Sequence, residues 1–394
     1  MPTISPFRAI RYRDGIDLSL VTAPPYDVIG PDEAVLLRNL HPENVIHLTL
    51  GGDFVPAEPS PSGDDKYTMA GGLFRNWLGT GTLVKDLDDA FFVYSIAYTH
   101  AGREHQTVGL VAALELEPFG EKDVLPHENT TPGPKKDRLS LMRATGANLE
   151  PLWFFTSKTI SGWGELVGRT LELPPTGRAT DAMGMVHSTW RIDPDTAAPI
   201  VDQMGSMPIV MGDGHHRYET ALAYRDERRL QDGAGPWDAA MVLISDAARY
   251  GPTVLPTHRI ARGVDLSSFE GLQEFDGSLE DLERAVAEAG AGTIGVADSQ
   301  GRWTMKSTGL LDTAFVADQI LEPQGAEVVY EHDLGRISAG IDSGAAAFLL
   351  APVSLDLVAD EAVAGRRTPP KTTLFWPKPR SGFVMRDLEP EPIP

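Results

Sequence analysis

Seven consecutive residues, Asp213-Gly214-His215-His216-Arg217-Tyr218-Glu219, gather an acid, two imidazoles and a guanidinium in one short stretch. The apolar run Pro208 to Met211 before them reads as a strand, and a helix is predicted from about His215 to Leu230. A strand that turns at once into a helix presents backbone N–H groups and the positive end of the helix dipole, which together favour an anion. His215, His216 and Arg217 add donors suited to phosphate. Asp213 at the strand end can serve as a general base, or hold a magnesium ion against phosphate oxygens. The plainer alternative is that Asp213 only caps the helix and leaves the histidines exposed. Chelation of one metal by both histidines is disfavoured, because neighbouring helical side chains diverge by ~100°.

Other clusters carry compatible chemistry. His127-Glu128-Asn129-Thr130 offers a carboxylate and a hydroxyl, and Lys135 and Arg138 follow at the start of a helix predicted over about 137–147. Cations there oppose the helix dipole, which points to a role other than stability. Lys371-Thr372-Thr373, with Pro377-Lys378 beyond, places an ammonium and hydroxyls in a proline-rich stretch. Pro256-Thr257-His258-Arg259 closes a strand with a His-Arg pair. Pro24-Pro25-Tyr26-Asp27 is a stiff turn, or a wall of the same pocket.

The elements that must position these residues are short and irregularly mixed. A helix is expected from Pro31 to Asn39, a strand from Val45 to Leu50, and a helix from Tyr67 to Leu78 with Met69, Leu73, Phe74 and Trp77 inward. Ala90 to His100 and Gln106 to Leu116 read as a hairpin joined by residues 101–104. Further strands are expected at 151–156, 186–192, 242–245, 253–259 and 346–351, with helices near 278–289 and 354–364. The class is therefore α+β, with mixed sheets and helices. Three parts are expected: an N-terminal α+β subdomain over 1–125, a catalytic core over 126–262, and a C-terminal α+β subdomain over 263–394 that contributes Lys371.

Composition narrows the chemistry. A net charge of −22 over 394 residues argues against general nucleic-acid binding and against anionic membrane surfaces. With no cysteine, disulfides, thiolate zinc sites, iron–sulfur clusters and cysteine nucleophiles are all excluded. No apolar run approaches ~18 residues and the first residues lack a signal-peptide pattern, so a cytoplasmic protein is expected. Neither a P-loop, nor a dinucleotide fingerprint, nor the protein-kinase set is present.

Taken together, the segments resemble a bacterial and archaeal family of proteins of unknown function marked by DGHHRYETA. The likeness runs through Ala23 to Ile29, Asn44-Val45-Ile46, His127-Glu128 with Thr130, Pro134-Lys135 with Asp137-Arg138-Leu139, Asp213 to Ala221, Leu255 to Arg259, and Pro369 to Thr373. The Asp-Gly-His-His-Arg box also resembles the phosphate-binding box of the ParB/sulfiredoxin-like fold, which includes kinases of free L-serine. That resemblance implies a ParB/sulfiredoxin-like core and phosphorylation of L-serine to O-phospho-L-serine with Mg2+. It implies pyrophosphate, ahead of ADP or ATP, as donor. Asp213, and second Glu128, would be the catalytic carboxylates, and Asp213 a magnesium ligand. Gly214, His215, His216, Arg217, Thr130, Lys135, Arg138, His258, Arg259, Lys371 and Thr372 would bind phosphate and substrate. A phosphohydrolase or nucleotidase using the same residues, and a nucleotide-sensing binding protein, are the alternatives; DNA binding is least favoured. The oligomeric state is left open.

Overall fold

The computed structural model describes residues 1–51, 65–120, 123–128, 133–156, 158–308, 311–369 and 371–390. The chain separates into two compact units: one formed by 1–126, 130–252 and 377–394, the other by 127–129 and 253–376. Divisions at 125/126 and 262/263, expected from sequence, fall elsewhere. The class is mixed α+β, with several sheets and helices between them.

The first unit is built on a nine-stranded sheet. Its long hairpin joins Phe91–His100 to Arg103–Glu115 through Ala101 and Gly102 alone, both left-handed at φ 50° and 73°. Two such residues match the twist of paired strands, so Arg103 and Glu104 join the ladder opposite His100 and Thr99 instead of lying in a longer turn. Leu152–Thr156 is buried on both faces, which explains its unbroken Leu-Trp-Phe-Phe run. It pairs parallel to Ala239–Asp246 and antiparallel to Ile209–Asp213. Phe154, Trp163, Met211, Tyr218 and Ile244 join one core that holds these strands against the helices. A four-stranded sheet brings Ala9–Tyr12 and Met385–Asp387 together, so the end of the chain closes this unit.

The expected Val45–Leu50 strand is instead a short helix, Ile46–Thr49. Asn44 decides the matter: its side-chain oxygen accepts from the Ile46 amide at 2.9 Å, while its amide group donates to the Leu20 carbonyl at 2.7 Å. This local cap overrides an apolar pattern that strand and buried helix share. The helix expected from 137 begins earlier, at Gly133, and ends at Thr145. In the Lys66–Thr80 helix Phe74 and Trp77 are buried as expected, but Met69 is exposed.

The second unit carries a six-stranded antiparallel sheet in the order 273–274, 302–306, 293–297, 346–349, 258–262, 327–331. The helices Leu279–Ala289 and Leu334–Asp342 pack on it through Leu282, Val286 and Ile337. Ser278 caps the first of them as one half of a capping box with Asp281. Among the described residues, no helix is long and apolar enough to cross a membrane.

The strand–helix junction depends on one glycine. Pairing shifts register between Met211 and Asp213, and Gly214 then takes φ 99°, which frees the chain to begin the His215–Asp232 helix. A Cβ there would stand 2.9 Å from Leu152 Cδ2 and 3.0 Å from Arg217 Nη2. Gly214→Ala is expected to cost about 1–3 kcal/mol in urea unfolding, and an unchanged midpoint would contradict the strain.

Candidate active site

Asp213 sits inside the first unit between two cations. Its Oδ2 accepts from Arg217 Nη2 at 2.8 Å, one helical turn on, and its Oδ1 is held by the Lys378 ammonium. Lys378 also lies 3.3 Å from Asp27 Oδ2. Arg217 Nη1 donates to the Pro151 carbonyl at 2.8 Å and stands 3.8 Å from Glu150 Oε1. Ser381 Oγ donates to Glu150 Oε2 at 2.9 Å. Burial opposes the charges of Arg217 and Lys378. The carboxylates outweigh it, Glu150 and Asp213 for Arg217, Asp213 and Asp27 for Lys378, so both groups are held above their ordinary ranges. Both stay protonated at any physiological pH. Asp213 is thus an ion-paired carboxylate at the strand end, and the N-cap position of the helix is taken by Gly214.

Two proline-stiffened segments deliver the distant partners. Pro24 and Pro25 lead into the turn Tyr26–Val28, while Pro377 and Pro379 flank Lys378. The segments are tied to each other through Ala23 and Ser381, whose backbones exchange hydrogen bonds at 3.3 and 2.8 Å. Arg380 adds bonds to Thr22 Oγ1 at 3.0 Å and the Thr22 carbonyl at 2.6 Å. Its amide donates to Tyr94 Oη at 3.0 Å. Burial, then Asp27, pushes the Tyr26 phenol up to about 12.

The remaining residues of the box divide by depth. His215 is buried near Phe119, with ring centroids 6.2 Å apart, and His216 is half-buried. Arg217 is committed to organising Asp213, Glu150 and the Pro151 carbonyl, where the sequence suggests a hand extended to phosphate. Tyr218 anchors the helix by donating to the Glu117 carbonyl at 2.7 Å and stacking on Phe119 at 4.6 Å.

The Gly133–Thr145 helix brings two expected cations to the same helix and its surroundings. Lys135 pairs with Glu219. Arg138 donates from Nη1 to the Thr49 carbonyl at 2.8 Å, lies over the Tyr26 ring at 4.0 Å and pairs with Asp137. Asp137 also accepts from Lys66 and Tyr67 at 2.8 and 2.7 Å.

Five expected site residues belong to the second unit. Glu128 forms a backbone bridge to Thr368. Arg259 is buried 4.9 Å over the Tyr330 ring, and burial, only partly offset by Tyr330 and Glu128, pulls its guanidinium down to about 10. His258 has both ring nitrogens engaged, Nε2 with Glu283 at 3.2 Å and Nδ1 accepting from the Leu350 amide at 3.1 Å. That is an anchoring arrangement for a strand, not an open phosphate donor. Thr372 is buried and donates to the Pro369 carbonyl at 2.7 Å, while Lys371 is exposed with φ 59°. Thr130 lies outside the described residues.

Lys378, a lysine the sequence does not single out for the site, is held against Asp213, and Glu150 enters the network although its sequence surroundings single it out only by the following proline. No described group of three or more His, Asp or Glu is arranged to hold a metal. Asp213 does not fit as a direct magnesium ligand here, because each of its oxygens already faces a cation.

Asp137 supplies a test by pH. Although burial alone would raise it, Arg138, Lys66 and Tyr67 hold its carboxyl down to about 2, below the ordinary aspartate value of 3.8. Stability from this group is then full above about pH 4 and lost as pH falls toward 2. Discounted for partial exposure, Asp137→Asn should cost about 1–2 kcal/mol at pH 7. Chemical denaturation should show the difference from wild type closing between pH 4 and pH 2.

A family model described as "Protein of unknown function (DUF1015)" matches residues 4–318, and the chain belongs to that family. No curated protein matches the sequence. Among solved structures, a conserved hypothetical protein from Pyrococcus furiosus is similar at 15% identity and TM-score 0.36, over 66% of this chain and 90% of its own. A free serine kinase in complex with AMP aligns at 13% identity and TM-score 0.37, over 70% of this chain and 98% of its own. SbnI with a C-terminal truncation, from Staphylococcus aureus, aligns at 11% identity and TM-score 0.36, over 69% and 85%. Scores this low do not establish a common overall fold.

Proposed function

We propose that this member of the DUF1015 family is a phosphotransferase that phosphorylates free L-serine to O-phospho-L-serine, with pyrophosphate ahead of ADP or ATP as donor. The observation that carries the reading is Asp213, ionised between Lys378 and Arg217 at a strand–helix junction. An acid so placed can take a proton from an attacking hydroxyl while the neighbouring ammonium turns to the donor. The serine oxygen attacks the transferring phosphorus, its proton passes to Asp213, and the leaving phosphate departs with the electron pair of the broken P–O bond. Phosphoryl transfer asks chiefly for positioning and charge neutralisation, which a paired, immobile carboxylate supports. The ParB/sulfiredoxin-like character of the site enters on the Asp-Gly-His-His-Arg motif.

Charge balance supports a magnesium-bound donor. The network holds three carboxylates, Asp27, Glu150 and Asp213, against two cations, Arg217 and Lys378. A bare pyrophosphate would be repelled there, whereas its magnesium complex is closer to neutral. The backbone of Gly214, His215 and His216 at the helix N-terminus, with Lys378, would face the donor. Glu128, which belongs to the second unit, is the second candidate base. A nucleotide donor is the second reading; the second unit by itself has a cleft of about 910 Å³ lined by Ser354, Leu357, Arg366 and Arg367. That volume lies in the range of small-molecule and cofactor sites, roughly 300–1,000 Å³. A cytoplasmic setting, small-molecule substrates and no nucleic-acid partner complete the proposal.

Purified protein incubated with L-serine, magnesium and each donor in turn should form O-phosphoserine by mass spectrometry. Asp213→Asn is expected to slow formation by about 10²–10⁴-fold, the usual worth of a general base. Phosphate release independent of serine would favour hydrolysis, and no product with any donor would end the kinase reading.

A further inference from the structure

The first unit has a partly open cavity of about 50 Å³ between the Gly133–Thr145 helix, the start of the His215–Asp232 helix and residues 147–152. A single water needs roughly 10–15 Å³ by the same measure, so the space suits a few waters or one very small molecule. A nucleotide is far too large. The walls are mostly aliphatic, with Leu149, Ala221, Ala240 and Met241 among them, yet three charged side chains converge there: Arg138, Glu150 and Arg217. Arg138 and Arg217 are 7% and 8% exposed.

Their hydrogen bonds leave capacity toward the cavity. Arg138 uses Nε and Nη2 on Asp137 and Nη1 on the Thr49 carbonyl, three of the five N–H groups a guanidinium carries. Glu150 is bonded through Oε2 to Ser381, while Oε1 stands 3.8 Å from Arg217, beyond hydrogen-bond length. Arg217 links the cavity to the reacting end, since its Nη2 is bonded to Asp213.

We propose that this cavity holds the headgroup of a free α-amino acid: its ammonium on Glu150, its carboxylate on Arg138, and its short hydroxylated side chain directed past Arg217 toward Asp213. The assignment rests on the phosphotransferase reading and deepens it by naming the residues that choose the acceptor. A simple anion would meet Glu150 and a simple cation would meet two guanidiniums, whereas a zwitterion matches both. The aliphatic walls and the small volume exclude long side chains. Arg138, implied by the family resemblance to bind phosphate, becomes a specificity residue for the acceptor.

Titration calorimetry without donor tests this on the full-length protein. L-serine should bind wild type and Asp213→Asn, while ethanolamine, which lacks the carboxylate, and glycerate, which lacks the ammonium, bind at least about 30-fold more weakly. Glu150→Gln should reduce the preference for L-serine over glycerate to within about 3-fold, and Arg138→Met should do the same for ethanolamine. Thermal melts of each variant report whether it is folded, and the wild-type preference stands as a test without them. Absence of L-serine binding, or ethanolamine or glycerate binding as well as L-serine, overturns the headgroup assignment. Phosphoserine formation without that preference would sink this assignment and leave the proposed reaction standing. The preference without phosphoryl transfer from any donor would do the reverse.

Discussion

Within the first unit, the arrangement depends on keeping Asp213 charged in a place mostly withdrawn from water. Burying a carboxylate is costly unless cations and donors surround it, and even a well-paired buried group contributes little net stability. Arg217 and Lys378 meet that requirement from very different distances along the sequence, one from the next helical turn and one from 165 residues away. Their own burial then calls for Glu150 and Asp27. Much of the local architecture follows from that chain of obligations. The left-handed Gly214, the paired prolines, the Ala23–Ser381 backbone bridge and the Arg380 contacts to Thr22 all fix groups that would otherwise relax apart. What such a network supplies is preorganisation: dipoles and charges already aimed before a substrate arrives.

The sequence makes the local half of this site legible. Pro208 to Tyr218 declares a strand, a turn and a helix through short-range rules alone, and the long hairpin does the same. It does not show which far segment completes the ring of charges. Lys371 and Lys378 both stand beside prolines, and no periodicity separates them; the fold does, by placing Lys371 on an exposed left-handed backbone and Lys378 against Asp213. Glu150 lies in a loop between two strands, where burial follows from tertiary packing and leaves no local mark. His258 reads as a donor because a His-Arg pair at a strand end looks functional, yet Glu283 and the Leu350 amide already use both its nitrogens. The segment around Val45 fails for another reason. Six residues of which four are apolar fit strand and buried helix alike, and a single asparagine side chain decides between them.

The electrostatics also bear on how an acidic protein would handle the anionic donor proposed above. Formal charge is −22 across the chain, and even the candidate site holds more carboxylates than cations. Selectivity in such a setting comes from matching separated charges over a few ångströms, not from a broad positive field. The proposed donor, which would carry its own divalent cation, and the proposed acceptor, which carries both signs, fit that requirement.

The order of segments along the chain sets a temporal constraint. Residues 377–390 rejoin the first unit only after residues 253–376 have been made, and they bring Lys378, Arg380, Ser381 and the strand Met385–Asp387 with them. A nascent chain on the ribosome therefore carries the Asp213 box long before it carries the lysine that neutralises it. Through that interval the box has Arg217 as its counter-charge but lacks Lys378. Completion of the charge network thus waits for the segment that carries Lys378.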